Sequence, residues 1–302
     1  MIEEKNTTNV KGTVLALQVY KDVFSKASVK ILSKTMDSVS SSSFDAMSTV
    51  GLVIPCYEQV DYLSSALTSV ALQSTPPTQV IVVSDEPVAK LRFAIDKSIW
   101  LSGLSDIQVI VEGRAGGASA SRNAGLSQLA TKWAICLDAD DALHPEYIKT
   151  ALLVARNEDI VVYPNFVRFG DEHGEGHMPD KFDLSELCKA NFMIAPSMFP
   201  ISAWESVRRK NGEGFSHALW ELGGYEDQLF FIECALNGFN GRHLSEPYIL
   251  YRRHLTSQTQ RGLYCANISR IRTFMKDHLY RHYGFVMPMS SDAEFTHAVS
   301  RW

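Results

Sequence analysis

The residues best suited to chemistry form one short acidic run, Leu137-Asp138-Ala139-Asp140-Asp141, at the polar end of the apolar stretch Trp133-Ala134-Ile135-Cys136-Leu137. That stretch has the length and composition of a buried strand. Carboxylates just past the carboxyl end of such a strand fall in the crevice where open α/β sheets bind ligands. Oxygen ligands suit a hard divalent ion, Mg²⁺ or Mn²⁺, and an ion held there would meet a phosphate. Taken alone, the triplet has a simpler alternative: an acidic turn in which Asp141 caps a helix starting near His144-Pro145-Glu146.

Further polar groups follow other apolar runs. Pro55-Cys56-Tyr57-Glu58 follows Val50–Ile54, Asp85 follows Val80–Val83, and Gly113-Arg114-Ala115-Gly116-Gly117 follows Ile107–Val111. If the sheet is parallel, all these ends share one rim. The rim then holds what a nucleoside diphosphate needs: Pro55 or Tyr57 beside the base, Asp85 for base or ribose, Arg114 and Arg122 for charge, and an ion on the phosphates. Each group alone has a structural reading as a cap, a turn or a solvated side chain. Their ordered co-occurrence is what points to a site.

The elements that must position these groups alternate along the chain. Strand-like runs at 50–54, 80–83, 107–111, 133–137 and 160–163 are separated by helical stretches near 60–73, 87–98, 118–129 and 145–155. Such alternation predicts an α/β fold, a Rossmann-like, mostly parallel sheet with helices on both faces. Past Tyr163 the alternation loosens, and residues 171–177 read as a hairpin tip or loop. Before the sheet, residues 1–44 read as a helical extension ending in a serine-rich linker, and residues 257–302 as a basic helical extension after it.

Several segments, in this order, resemble the family 2 glycosyltransferases of the GT-A fold. Val50–Tyr57 is similar to the family's opening strand, and Gln79–Asp85 to its nucleoside-binding segment. Gly116-Gly117-Ala118-Ser119-Ala120-Ser121-Arg122-Asn123 is similar to its glycine-arginine-asparagine helix, and Asp138-Ala139-Asp140-Asp141 to its metal motif. Ala195–Phe199, Gly224-Tyr225-Glu226-Asp227 and Tyr251-Arg252-Arg253-His254 resemble the acceptor-side strand, the Glu-Asp motif and the closing histidine. The likeness runs over about 49–256, with a nucleotide-binding half to about 163 and an acceptor half after it; the domain is expected at 45–256.

This resemblance implies an inverting transferase that moves a sugar from a nucleotide-diphosphate sugar, expected to be a UDP-sugar, to an acceptor hydroxyl with a divalent metal as cofactor. It implies Asp227 as general base and Glu226 as its partner in orienting the acceptor. Pro55, Tyr57, Glu58, Asp85, Arg114, Arg122, Asn123 and Asp138 would bind the nucleotide sugar. Asp140, His254 and Asp138 would hold Mn²⁺ or Mg²⁺, and Trp220 and Tyr225 would touch the acceptor. Three positions depart from the family pattern: Glu58 where asparagine is common, a serine before Asp85, and Glu233 where arginine is common.

Composition bounds the setting. The chain has 302 residues, 45% of them hydrophobic, and a net charge of −5, ample for a large core and without a global excess of base. Its five cysteines are widely spaced, without zinc or redox pairing, and no run reaches bilayer-spanning length. A cytoplasmic enzyme is expected, with peripheral attachment at a membrane surface as an option. Residues 241–285 carry eight Lys or Arg against two acids, a local +6. That asymmetry suggests an anionic partner. A glycan acceptor and a hydroxymethylated base in DNA both stay open, as do a nucleotidyltransferase and a non-catalytic sugar-nucleotide binder.

Overall fold

The computed structural model describes residues 49–102, 107–111, 117–156, 158–254 and 267–288. The N-terminal extension expected at 1–44, together with Arg114, Arg261 and Cys265, lies outside the described residues.

The first half follows the predicted alternation: β1 (Val50–Cys56), α1 (Val60–Ala71), β2 (Gln79–Ser84), α2 (Val88–Ser102), β3 (Ile107–Val111), α3 (Gly117–Leu126) and β4 (Trp133–Cys136). Strands β3, β2, β1 and β4 lie side by side and parallel. Every residue of β1 and β4 is buried, as their uninterrupted apolar composition requires in a sheet covered on both faces. Helix α3 is built from small residues for a reason. A Cβ at Gly125 would run into the Val53 side chain, so the helix lies flush on β1.

Beyond β4 come β5 (Ala142–Leu143), α4 (Tyr147–Ala155), β6 (Ile160–Gly170), β7 (Gly174–Gly176), α5 (Leu184–Lys189) and β8 (Met198–Pro200). They are followed by α6 (Ile201–Asn211), α7 (His217–Leu222), α8 (Glu226–Leu236), β9 (Asn240–Arg253) and α9 (Ile268–Tyr283). The sheet order is β3-β2-β1-β4-β8-β6-β9-β5, with β7 on β6. The strict parallel pattern therefore ends at β4. Strand β8 runs antiparallel to both β4 and β6, whereas β6 and β9 are again parallel. The loosened alternation after Tyr163 marks this reversal, and residues 171–173 form the tip of the β6/β7 hairpin.

One feature of β9 matters for the site. Its end pairs with β5, Ala142 opposite Leu250 and Leu143 opposite Ile249. This pairing carries the strand's last residues to the acidic turn after β4, although more than a hundred residues of chain separate them.

Helix α9 packs its apolar side, Ile271, Met275 and Leu279, into the same core as the sheet. It is joined to α8 by a buried polar contact: His278 Nε2 lies 3.0 Å from Glu233 Oε1, and Asn211 Nδ2 donates to the same carboxylate at 3.1 Å and 3.2 Å. Glu233 is fully buried, so each partner it loses leaves charge or lone pairs without water. The glutamate that replaces the family's usual arginine is thus the anchor of the C-terminal helix. His278→Ala is expected to cost about 1–3 kcal/mol, read as a lowered denaturant midpoint with an unchanged slope.

Candidate active site

The site is organised by Arg122, which rises from α3 and is 4% exposed. Its guanidinium donates through Nη2 to Asp138 Oδ1 at 2.7 Å and through Nη1 to Glu226 Oε1 at 2.6 Å, and it lies 5.5 Å from the centre of the Phe215 ring. Burial alone would lower the pKa of this cation, but Asp138 and Glu226 outweigh it and hold the charge firmly in place. The Asp138 pKa is raised as well, for a different reason. Burial, the largest influence, raises its pKa, and Arg122 opposes that rise. One cation therefore ties the end of β4 to the start of α8.

The acidic turn divides its carboxylates among three tasks. Asp138 faces Arg122. Asp140 Oδ2 lies 2.9 Å from His254 Nε2, two ligand-type groups brought together at the far end of β9. Asp141 points inward, 1% exposed, and its Oδ1 accepts the Arg252 backbone N–H at 2.8 Å. The helix-capping role open to Asp141 in the sequence is replaced by this strand-fastening one. Arg252 adds a second fastening, donating from Nε to the Asp140 backbone carbonyl at 2.8 Å. Its guanidinium sits between the rings of Tyr62 and Phe169, 4.8 Å and 4.3 Å from their centres, and Tyr62 in turn lies 5.1 Å from the His254 ring.

A donor set of one carboxylate and one imidazole fits a divalent ion that draws its remaining ligands from substrate phosphates and water. No cluster of three or more His, Cys, Asp or Glu side chains among the described residues is arranged to hold a metal by itself. Asp138, expected as a further ligand, has Oδ1 engaged by Arg122.

Glu226 and Asp227 open α8 after a turn in which Gly223, Gly224 and Tyr225 all have positive φ. Glycine accepts that conformation freely, whereas tyrosine does so at a cost and only when its surroundings enforce it. The Tyr225 side chain, for which an acceptor contact was expected, is 2% exposed and packs in the core. Glu226, 7% exposed, serves Arg122. Asp227 is half-buried, and its Oδ1 accepts from Asn191 Nδ2 at 2.9 Å and from the Gln228 backbone N–H at 2.8 Å. Burial first, then the neighbouring Glu226, raises its pKa to about 7, while Arg122, Asn191 and the Gln228 N–H pull it back.

The remaining expected residues divide between rim and scaffold. Tyr57 and Glu58 are exposed at the end of β1, and the Glu58 N–H points to Asp85 Oδ1 at 3.4 Å, linking two adjacent strand ends. Pro55 lies buried within β1, so it supports the rim from below. Asn123 has its amide committed to structure: Oδ1 accepts from Trp204 Nε1 at 3.0 Å and from Phe215 N at 2.9 Å, and Nδ2 donates to Phe215 O at 2.8 Å. These bonds hold Phe215 against Arg122. Trp220 lies against Gly117, where any Cβ would collide with the indole, and so joins α7 to the first turn of α3. Burial pushes the thiols of Cys56 and Cys136 up to about 12, which leaves neither as a nucleophile near neutral pH.

Sequence reasoning missed Asn191, Phe215, Tyr62 and Arg252 as parts of the site. Arg252 stands two positions before His254 in the quoted closing motif, but nothing local marks Asn191 or Phe215, which reach Asp227 and Arg122 only through the tertiary fold. The clamp reading of Asn123 separates cleanly from ligand binding. Asn123→Ala is expected to lower stability by about 1–3 kcal/mol by thermal melting, without removing a direct contact to nucleotide in calorimetry.

Comparison with known proteins places this geometry. The family model described as Glycosyl transferase family 2 matches residues 52–216, more than half of the chain, and ends before Glu226 and His254. The poly(ribitol-phosphate) beta-N-acetylglucosaminyltransferase TarS of Staphylococcus aureus (strain Mu50) is 24% identical over 211 residues, 68% of this chain and 35% of TarS. The chain's match thus spans about a third of that relative. A UDP-Gal:alpha-D-GlcNAc-diphosphoundecaprenol beta-1,3-galactosyltransferase of Escherichia coli is 25% identical over 230 residues, 73% of this chain and 78% of the relative. Among solved structures, S. aureus TarS 1–349 in complex with UDP-GlcNAc superposes with a TM-score of 0.58 at 18% identity, covering 83% of this chain and 79% of that one. The mannosyltransferase PcManGT of Pyrobaculum calidifontis, in complex with GDP-Man and Mn²⁺, does so with 0.53 at 15% identity, covering 100% and 80%. These structural likenesses establish the fold, and the family match establishes the class of enzyme. With residues 52–216 matched by the family model and a mixed sheet whose parallel half ends in an acidic turn, the chain belongs to the family 2 glycosyltransferases.

Proposed function

We propose that this enzyme is an inverting glycosyltransferase that moves a sugar from a UDP-sugar to a hydroxyl of a glycan-type acceptor, with Asp227 as general base. The observation that carries the reading is the Arg122 bridge. It sets Asp138, on the expected donor side, and Glu226, on the expected acceptor side, against one cation, and the residue after Glu226 is a carboxylate whose pKa is raised to about 7.

In this reaction the acceptor oxygen attacks the anomeric carbon from the face opposite the diphosphate. The new C–O bond forms as the bond to the diphosphate oxygen breaks, and the hydroxyl proton passes to Asp227. A base whose pKa lies near the working pH combines availability with the capacity to take the proton, and such a group contributes about 10²- to 10⁴-fold in rate. Arg122 keeps Glu226 fixed and its negative charge balanced, so that the single unbalanced carboxylate at the start of α8 is Asp227. Asp140 and His254 would hold the divalent ion. When bound, it supplies Lewis-acid stabilisation of the charge that develops on the leaving diphosphate. Tyr57, Glu58 and Asp85 line the rim where the nucleoside would lie.

A UDP-sugar is the favoured donor because one relative is named for UDP-Gal and TarS is solved with UDP-GlcNAc. The acceptor is assigned to glycans on similar grounds, since the two relatives are named for poly(ribitol-phosphate) and a diphosphoundecaprenol-linked sugar. The DNA-base alternative rested on the +6 segment, and the fold removes much of its ground. Arg242 pairs with Glu158, Arg253 pairs with Glu172, Arg252 is enclosed between two rings, and Arg272 is buried. Half of the eight basic residues are thus engaged within the protein.

Four outcomes test the reading. Asp227→Asn is expected to lower turnover of a UDP-sugar by at least about 10²-fold while leaving calorimetric UDP binding intact. In the wild type the rate should fall below about pH 7 as Asp227 takes up its proton and loses the capacity to act as a base; an unchanged rate in the variant would overturn the assignment. Asp140→Ala is expected to abolish the enhancement of UDP binding by Mn²⁺. Equal binding of GDP and UDP would overturn the choice of donor.

A further inference from the structure

Asp227 is held from one side. Among the described residues, both hydrogen bonds to its carboxylate end on Oδ1, from Asn191 Nδ2 at 2.9 Å and from Gln228 N at 2.8 Å. The Gln228 contact comes with the helix, since the first turn of any helix offers backbone N–H groups to a nearby acid. Asn191 is different. It stands 36 residues earlier, just past the end of α5, and nothing in the helix requires it.

The placement of Asn191 is prepared by the fold. Gln228, next to Asp227, donates from Nε2 to the Leu187 carbonyl at 2.6 Å and so fastens α8 to the last turn of α5. The chain then leaves α5 in an extended conformation at Ala190, and Phe192 is buried on the other side of Asn191. Two consecutive residues of α8 are thereby latched to two consecutive parts of the α5 exit, one through a side-chain amide and a carbonyl, the other through a carboxylate and a side-chain amide.

The far end of the Asn191 amide has no such provision. Its Oδ1 is buried without a hydrogen-bond partner among the described residues. A buried carbonyl oxygen left unsatisfied costs stability, so an apolar residue of similar size would serve packing better. What the asparagine offers in return is its Nδ2–H, directed at the carboxylate.

We infer that Asn191 is the positioning residue of the general base: by holding Oδ1 it leaves Oδ2 as the oxygen that receives the acceptor's proton, and it favours the charged form of the carboxylate. This rests on the proposed role of Asp227. The charged groups acting on that carboxylate are Glu226 on its own helix and Arg122 from α3, the first opposing ionisation and the second favouring it; from the α5 side comes only the neutral Asn191. A neutral donor is what suits a base that must first be anionic and then accept a proton. It stabilises the anion through a hydrogen bond without the full bias that a second cation would impose.

The test is the pH dependence of kcat/KM with a UDP-sugar and a glycan acceptor, for the wild type, Asn191→Ala and Asn191→Gln. Removing a donor to the charged form raises the pKa of a carboxylate. In Asn191→Ala the acid limb is expected to move upward by about one pH unit, giving roughly tenfold lower rates on the acid side that recover at high pH. Asn191→Gln, which keeps the donor, is expected to return the limb toward the wild-type position. UDP binding by calorimetry should be unchanged in both, and Asn191→Leu, apolar and of similar size, substitutes if the alanine variant does not fold. A limb that stays in place, with activity lowered equally at every pH or not at all, overturns the inference. Asp227→Asn in the same assay keeps the two readings apart. Wild-type turnover in that variant removes the base itself, whereas its inactivity beside an unmoved limb in Asn191→Ala removes only the role of Asn191.

Discussion

A guanidinium cannot lose its charge inside a protein, so burying one commits the fold to surrounding it with anions. Arg122 is such a commitment. Its two carboxylate partners lie 16 and 104 residues further along the chain, and the sheet must bring both to one helix face before the charge is balanced. Once that is done, three elements are mutually located: α3, the turn after β4, and the start of α8. The residues that follow in each direction then fall into place, Asp140 two positions beyond Asp138 and Asp227 one position beyond Glu226. Buried ion pairs contribute little net stability against an apolar alternative of the same volume. Their value here is geometric, since an apolar contact would hold the same elements together without fixing the orientation of either carboxylate.

Around this centre the polar side chains supply direction and the apolar ones supply support. Asn123 holds Phe215 beneath the guanidinium, Ser119 Oγ donates to the Ser216 carbonyl at 3.0 Å, and both come from α3. Arg252 performs a similar service for the acidic turn, stacked between Tyr62 and Phe169 with its Nε on the Asp140 carbonyl. The groups expected to handle substrate are in this way backed by side chains that are themselves hydrogen-bonded to neighbouring backbone. Such backing helps to preorganise a site.

The parallel half of the fold was legible in the sequence because its strands are short, buried on both faces and rich in β-branched residues, and because its helices separate them regularly. The reversal at β8 was not. A strand of three residues, Met198–Pro200, carries too few positions for any periodicity to register, and its direction is set by its neighbours in the sheet. The site shows the same division. Asp138, Asp140, Glu226, Asp227 and His254 could be named because they sit at strand ends and a helix start within short motifs. The parts played by Asn123, Glu226 and Tyr225 could not, because a polar or aromatic side chain in a motif looks the same whether it faces substrate or core. The count of basic residues after Gly241 misled for a related reason: a sum of charges does not reveal how many are neutralised across strands or enclosed by rings.

Strand β8 has a further consequence. It pairs on one side with β4 over three residues and on the other with β6 at Met198 and Val162. The parallel first half and the mixed second half are therefore one continuous sheet, so the ends of β4 and β9, just before Asp140 and His254, belong to the same framework.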